Sequence, residues 1–355
     1  MAKGNKRLSI AHLAQELGLS ASTISRALNN APDVSEATKA QVWVLAEKLH
    51  YQPNGLAAAL RRGRSNVLGV IVPHITGAFF PAVVHGMEEE ASKEGFNVMI
   101  CQTSEEVARE KKQVEVLLKG QVDGILVAMS KTTHDFAHFE RVRSQNIPLV
   151  FFDRMPDLAN ACAVVSDDYR GAYQAVEHLI KQGCRRIAHM AGHQTVSTTH
   201  NRYRAYRDAL AAHGLPYEEE LVIHLPNPST EAGAQAMTTL LQQSVWPDAV
   251  FTAYDFPAVG ALEVLDARGI RVPEDIALVG YSNEPFTTML KPRLTSVDQR
   301  AKQMGEAAIQ LFLQLLKRSG HEAGQRITLK PQLLIRESSL QKSVFAERNE
   351  QHPQR

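Results

Sequence analysis

Apolar residues near the start of the chain recur every three or four positions. Ile10, Leu13, Ala14 and Leu17 fall at i, i+3, i+4 and i+7, one face of a helix. Ser9 stands where an N-cap belongs, and Gly18 where a C-terminal stop belongs. Ser20 restarts the chain as a second cap, and Ile24, Ala27 and Leu28 give the next helix its inward stripe. Ser22, Ser25, Arg26 and Asn29 fall outside that stripe. A third helix follows, with Ser35 as cap and Val42, Leu45, Ala46 and Leu49 inward, and it ends before Pro53. Two short helices joined by a tight turn and buttressed by a third make a helix-turn-helix unit. "PNGLAAALRRGRSN" then offers Asn54 as the cap of a short helix over residues 56–62, closed by Gly63. A piece of about two turns is marginal alone in water and needs outside support.

From Val67 the period changes. Apolar runs at "VLGVIVP", "NVMICQT", "GILVAM", "PLVFFD", "CAVVSD", "RIAHMAG", "LVIHLP", "DAVFTAYD" and "IALVGYS" read as strands. Segments long enough for helices, such as 79–94, 105–119, 171–182 and 201–213, separate most of them. Short apolar runs alternating with amphipathic helices imply parallel sheets covered on both faces. With nine or more strands and a gap in the rhythm near 154–165, the body reads as two similar doubly wound α/β lobes. A ligand then sits between the lobes, near the carboxyl ends of strands. The expected boundaries are 1–52 for the helical head, 53–65 for a linker, 66–340 for the body and 341–355 for a disordered polar tail.

Charge divides the chain at the same place. Residues 1–64 carry nine Lys/Arg against four Asp/Glu, a net +5, whereas the remainder carries 30 against 34, a net −4. A basic head on an acidic body suggests a polyanion partner for the head alone. The 44% hydrophobic fraction is ordinary for a globular protein, and no apolar run approaches a membrane span. The basic start "MAKGNKRLS" lacks an apolar h-region, and Cys101, Cys162 and Cys184 have no metal-like spacing. A cytoplasmic protein without cofactor or metal is the expectation.

In residue type and spacing, "AHLAQELGLSASTISRALN", "VSEATKAQVWVLAEKLHYQPN" and "LAAAL" resemble the LacI/GalR family of bacterial transcription regulators. The resemblance continues through "FFPAVVHGMEEEA", "VDGILV", "IPLVFFDR", "SDDYRGAYQAVEHLIKQGCRRIAH", "NRYRAYRDAL", "GIRVPEDIALVGYSN" and "LTSVDQ", from about residue 8 to 340. It implies a homodimer whose heads bind a pseudo-palindromic operator in double-stranded DNA. It also implies a periplasmic-binding-protein-like body that binds a small effector, and repression as the mode of control. By resemblance, Ala21, Ser22 and Arg26 occupy base-reading positions in the major groove. A guanidinium such as that of Arg26 can bond guanine O6 and N7 together. Ser20, Thr23, Ser25 and Asn29 can donate to phosphates, which position rather than specify. Tyr51 and Asn54 are expected to add backbone contacts. "LAAALRR" matches the family's hinge helix, with Leu60 as a minor-groove wedge and Ala57 among the small residues that permit close packing.

In the body, Asp153, Arg202 and Asp255 match family ligand-contact positions at strand-to-helix junctions. A carboxylate can accept from two hydroxyls, and an arginine can donate two bonds. Phe79 and Phe80 offer faces on which a sugar ring could stack, though an aromatic at such a junction also packs inward. Gln299 is placed at the base of the cleft. The constellation suits a sugar or sugar acid. Three positions depart from the family pattern: Ser282, followed by Asn283, replaces its usual aspartate, Ala205 a common glycine and Arg300 a common proline. One charged effector contact is therefore missing or neutral, with Asn283 carried among the expected effector residues. The adjacent Asp167 and Asp168 read as a turn rather than a catalytic dyad. The alternative is a cytoplasmic sugar-binding or sugar-processing α/β protein. Against it, the body has no GxGxxG after its strands, no P-loop and no GxSxG elbow, which argues against an enzyme.

Overall fold

The computed structural model describes residues 9–51, 64–156, 158, 160–317 and 324–340. The chain divides into two units, Met1–Ser65 and Asn66–Arg355. In the first, helices α1 (Ile10–Leu17), α2 (Ala21–Leu28) and α3 (Glu36–Lys48) enclose a small core of Leu13, Ile24, Ala27, Val34, Val42 and Ala46. Gly18 turns left-handed at φ 62°, and Leu19 N–H returns to the Ala14 carbonyl at 3.0 Å. The Ser20 and Ser35 hydroxyls accept the Thr23 and Thr38 N–H groups at 3.0 and 3.2 Å. The helices therefore start and stop where their caps do. The expected short helix at 56–62, with Asn54, Ala57 and Leu60, lies outside the described residues.

The second unit holds two six-stranded sheets. The first is built from β1 (Val67–Val72), β2 (Asn97–Gln102), β3 (Gly124–Val127), β4 (Leu149–Phe152), β5 (Cys162–Ser166) and β11 (Arg326–Leu329), in the order β2-β1-β3-β4-β5-β11. All its neighbours pair in parallel. The second comprises β6 (Ile187–Ala191), β7 (Val222–His224), β8 (Ala249–Thr252), β9 (Ala277–Tyr281), β10 (Thr295–Asp298) and β12 (Gln332–Leu334), in the order β7-β6-β8-β9-β10-β12. Only β12 runs antiparallel there. Most central strands are buried throughout, because helices cover both faces. Each sheet switches direction beside its first strand, between β1 and β3 and between β6 and β8. In such sheets that is where ligands lie.

Helices α4 (Phe79–Lys93), α5 (Val107–Lys119) and α6 (Ala137–Ser144) belong to the first lobe, and α7 (Asp168–Lys181), α8 (Ser197–Ala212), α9 (Thr230–Leu240) and α10 (Asp255–Ala267) to the second. Helix α11 (Ala301–Lys317) returns to the first lobe. There Met304, Ala308, Ile309, Leu311 and Phe312 join the core of Leu68, Val70, Val83 and Phe152. Helices α4 and α11 meet backbone to backbone, since a Cβ on Gly86 would stand 2.2 Å from the Lys302 carbonyl oxygen. The chain therefore crosses between lobes three times: at residue 167, at 299–300 and at 330–331.

The pause in rhythm at 154–165 does not separate the lobes. Strand β5 lies partly inside it and still belongs to the first sheet, pairing with β4, with no helix among the described residues between them. Strands β10, β11 and β12 were not legible as apolar runs. β10 reads "TSVD", and the other two are short and partly exposed.

Candidate functional site

In the head, α2 presents Ala21, Ser22, Arg26 and Asn29 to solvent, with Thr23 partly exposed. The Ser20 hydroxyl lies 2.6 Å from that of Ser22 and 2.8 Å from that of Thr23, a cluster of three hydroxyls at the start of the helix. Arg26 is half exposed and pairs with Asp33, its Nε donating to Oδ1 at 3.2 Å. Asn29 Nδ2 donates to the Ser25 carbonyl at 2.6 Å and closes the helix. One expectation changes here: Ser25 is buried at 7% exposure, so it does not join the exposed polar face. Its small hydroxyl carries too little apolar signal to mark it as buried. Tyr51 is partly buried against the same core.

In the body, a cavity of about 580 Å³ opens at the carboxyl ends of both sheets. Its walls come from the segments after β1 (His74, Phe79, Phe80), β2 (Gln102, Glu105), β4 (Asp153, Arg154), β8 (Tyr254, Asp255), β9 (Ser282, Glu284) and β10 (Gln299), and from Thr198 and Arg202 on α8. Six of the seven expected effector residues line it: Phe79, Phe80, Asp153, Arg202, Asp255 and Gln299. Asn283 does not. It adopts φ 52°, and its side-chain oxygen accepts from Arg336 at 2.7 Å, away from the cavity.

The six differ in what they have left to offer a ligand. Asp153 follows β4 in a left-handed conformation, φ 61°, and its N–H bonds the Val164 carbonyl at 3.1 Å. Its carboxylate is 8% exposed, with Arg154 Nε at 3.6 Å as the nearest cation. Burial raises its pKa to about 6, against the pull of Arg154. Phe79 is half-buried, lines the cavity and packs edge-on to Phe80 at 5.1 Å between centroids. Phe80 is a core residue, 4% exposed and in T-shaped contact with His74 and Phe152 at 5.0 and 6.4 Å between centroids.

Arg202 is committed to the protein. Its Nε and one terminal nitrogen donate to Asp168 Oδ1 at 2.9 and 2.6 Å, and the other to the Ala253 carbonyl at 2.7 Å. The guanidinium carbon also sits 3.7 Å from the centre of the Tyr281 ring. Both partners are 3% exposed, so this is a buried ion pair at the first crossing between lobes. The expected Asp167–Asp168 turn is thus two unlike parts. Asp167 caps α7 by accepting the Arg170 N–H at 3.0 Å, while Asp168 is the counter-ion of Arg202. Asp255 is committed too, with one oxygen accepting from Ser296 Oγ at 2.7 Å and the other from Glu284 N–H at 2.8 Å. Burial raises its pKa to about 6, opposed by those two bonds. Gln299 Oε1 accepts from Ser282 Oγ at 3.1 Å and shapes the floor.

Several lining residues had escaped the sequence reading. Arg154 lies beside Asp153 in "FFDR" and could have been noticed there; it grips Glu105 with two nitrogens at 2.9 Å each and reaches the Met129 carbonyl at 2.7 Å. Glu105 and Glu284 carry no sequence mark, since their partners lie 49 and 206 residues away. Among the described residues no cluster of three or more His, Cys, Asp or Glu is placed to hold a metal ion, and no helix is long and apolar enough to cross a membrane.

Residues 9–54 match the family model described as bacterial regulatory proteins, lacI family, and residues 176–339 match that of a periplasmic binding protein-like domain. The transcriptional regulator DegA of Bacillus subtilis is 33% identical over 334 residues, covering 94% of this chain and 98% of the relative. The transcriptional repressor PurR of Pasteurella multocida is 30% identical over 334 residues, covering 93% and 98%. Among solved structures, the lac repressor dimer bound to operator and the anti-inducer ONPF superposes with a TM-score of 0.83 at 25% identity, over 95% of this chain and all of that one. These relatives are transcription regulators, not enzymes. With a helix-turn-helix head, a body of two parallel-sheet lobes and a relative matched along nearly its whole length, the chain belongs to the LacI family of bacterial regulatory proteins.

Proposed function

We propose that this protein is a repressor that binds a pseudo-palindromic DNA operator as a homodimer in the cytoplasm, with operator affinity set by a polyhydroxylated small molecule held between the two lobes of the body. The relative solved as a dimer on its operator supports the DNA-binding part. On this reading Arg26 reads a base, Ala21 and Ser22 lie against base edges, and Ser20, Thr23, Asn29 and Tyr51 position the backbone. Asn54, Ala57 and Leu60 belong to the segment proposed to enter the minor groove.

The observation that carries the effector reading is Asp153. Its buried carboxylate lines the cavity with an ion-pair neighbour at 3.6 Å, and the half-buried Phe79 lines the same space. A carboxylate able to accept hydrogen bonds from two hydroxyls, beside an apolar ring, suits a sugar-like ring. A ligand alters DNA affinity only if it binds one arrangement of the body better than another.

The test begins with a thermal-shift screen of the full chain against sugars, sugar acids, sugar phosphates and nucleobases, since a true ligand raises apparent stability by mass action. Operator titrations of wild type and Asp153→Asn, with and without the hit, follow. The expected outcome is that the variant keeps unliganded operator binding and loses the ligand-induced shift. A variant that still shifts by the wild-type factor removes Asp153 from the site. A hit confined to nucleobases overturns the hydroxylated class.

A further inference from the structure

The cavity contains three places built to receive a negative charge: the N-terminus of α4 and the guanidinium groups of Arg154 and Arg202. Each already holds a carboxylate of the protein. Arg202 faces Asp168, and Arg154 faces Glu105. The third case spans the lobes. Helix α4 begins after Ala78 with no side-chain cap of its own. Both carboxylate oxygens of Glu284, from the second lobe, accept the Ala78 N–H at 3.0 and 2.8 Å, and the Phe79 N–H is a further donor to the same group. Pro81 contributes no N–H to this helix start.

The second lobe is shaped to deliver that carboxylate. Ser282 and Asn283 both have positive φ, 119° and 52°. Their N–H groups are held by the Val297 carbonyl at 2.9 Å and by Ser296 Oγ at 2.9 Å, and the Glu284 N–H by Asp255. Opposite, Gly77 at φ 74° leaves room: a Cβ there would lie 3.1 Å from Glu284 Oε1. Glu284 is 7% exposed and lines the cavity.

We propose that Glu284 is a specificity residue that occupies the cavity's anion-receptive helix terminus and so excludes phosphorylated and carboxylated ligands, leaving an uncharged polyhydroxylated molecule as the effector class. This narrows the function proposed above and rests on it. With Arg154 and Arg202 neutralised in place and Asp153 facing the same space, an anionic ligand gains no unpaired cation and meets a buried negative charge.

Two arms of one experiment test it on the full chain. In the first, matched sets of an uncharged sugar, its aldonic acid and its phosphate ester are compared by thermal shift at constant ionic strength. Uncharged members should bind, with their acids and phosphates at least about tenfold weaker, the discrimination expected of one unrelieved like-charge contact. An acid or phosphate binding as well as its parent sugar overturns the proposal. In the second, inorganic phosphate is titrated against wild type, Glu284→Ala and Glu284→Ser, with chloride as the ionic-strength control. Removing the carboxylate should raise phosphate affinity by about tenfold or more. Two small replacements guard against one that folds poorly, and equal phosphate affinity in wild type and variants again overturns the proposal. If no sugar binds while phosphate behaves as expected, the hydroxylated-effector reading fails and the role of Glu284 in excluding anions stands.

Discussion

At the scale of single residues, charge partners decide which side chains remain free to act. Arg26 rests on Asp33, an exposed pair worth about 0–1 kcal/mol, so DNA can replace that partner at small cost. Arg26→Ala should lose about 1–3 kcal/mol of discrimination at one base pair of each half-site. Asp33→Ala, which only frees the guanidinium, should bind the operator as well as wild type or better. Quantitative binding to a set of single-base operator variants checks both, and an unchanged preference in Arg26→Ala removes it as a base reader. The buried titratable groups predict opposed pH effects on stability. Burial raises Asp153 to about 6, so between its unfolded value near 4 and pH 6 the folded state binds more protons and stability falls as pH rises. Burial instead lowers His178 and His189 to about 4, so from pH 4 to about 6.5 the unfolded state binds more protons and stability rises with pH. The two partly cancel in wild type. Subtracting melting curves of Asp153→Asn from those of wild type across about pH 4–6.5, the window of both titrations, should isolate a contribution that weakens upward; a flat difference refutes the raised carboxyl. Of these residues, Asp153 was legible because it ends an apolar run. Asp168 and Glu284 were not, because a partner brought close only by the fold has no period along the chain.

At the scale of elements, what was legible was what obeyed a single rule. The central strands β1, β3 to β6, β8 and β9 read as apolar runs because helices cover both faces of each sheet, the edge strands β2 and β7 read so although partly exposed, and the head helices read from stripe and cap together. β10 escaped because Thr295 and Ser296 are buried with their hydroxyls satisfied, Ser296 by Asp255 and Thr295 by the Arg336 carbonyl at 3.0 Å. A polar strand of that kind is paid for by partners that no window of sequence displays. Caps are testable individually. Ser20→Ala leaves the Thr23 N–H without its acceptor and should destabilise the head by about 1 kcal/mol, read as an earlier melting transition. In the segment outside the described residues, Leu60→Ala should reduce operator affinity and DNA bending while the body melts as wild type. Equal bending by mutant and wild type, in a circular-permutation gel assay, rules out the wedge.

At the scale of the whole molecule, the Arg202–Asp168 pair ties α8 to the first crossing between lobes. Arg202→Ala strands a buried carboxylate and should cost about 3–5 kcal/mol, visible in chemical denaturation of the body before any effector is added. Loss of effector response in that variant would therefore report on the lobes rather than on ligand contact, which is why Asp153 is the cleaner probe. The three crossings carry a consequence for how the protein is made. A ribosome releases β1 to β5 early, then the second lobe from α7 to β10, and only afterwards α11 and β11, which close the first lobe's core and its sheet edge. At about 5–20 residues per second, the first lobe waits on the order of ten seconds with the core face of α4 uncovered. The lobe begun first thus receives its core helix and edge strand only after most of the second lobe is made, and a message truncated before residue 301 costs the N-terminal lobe α11 and β11 while costing the second lobe only its last strand, β12, and the turn after it.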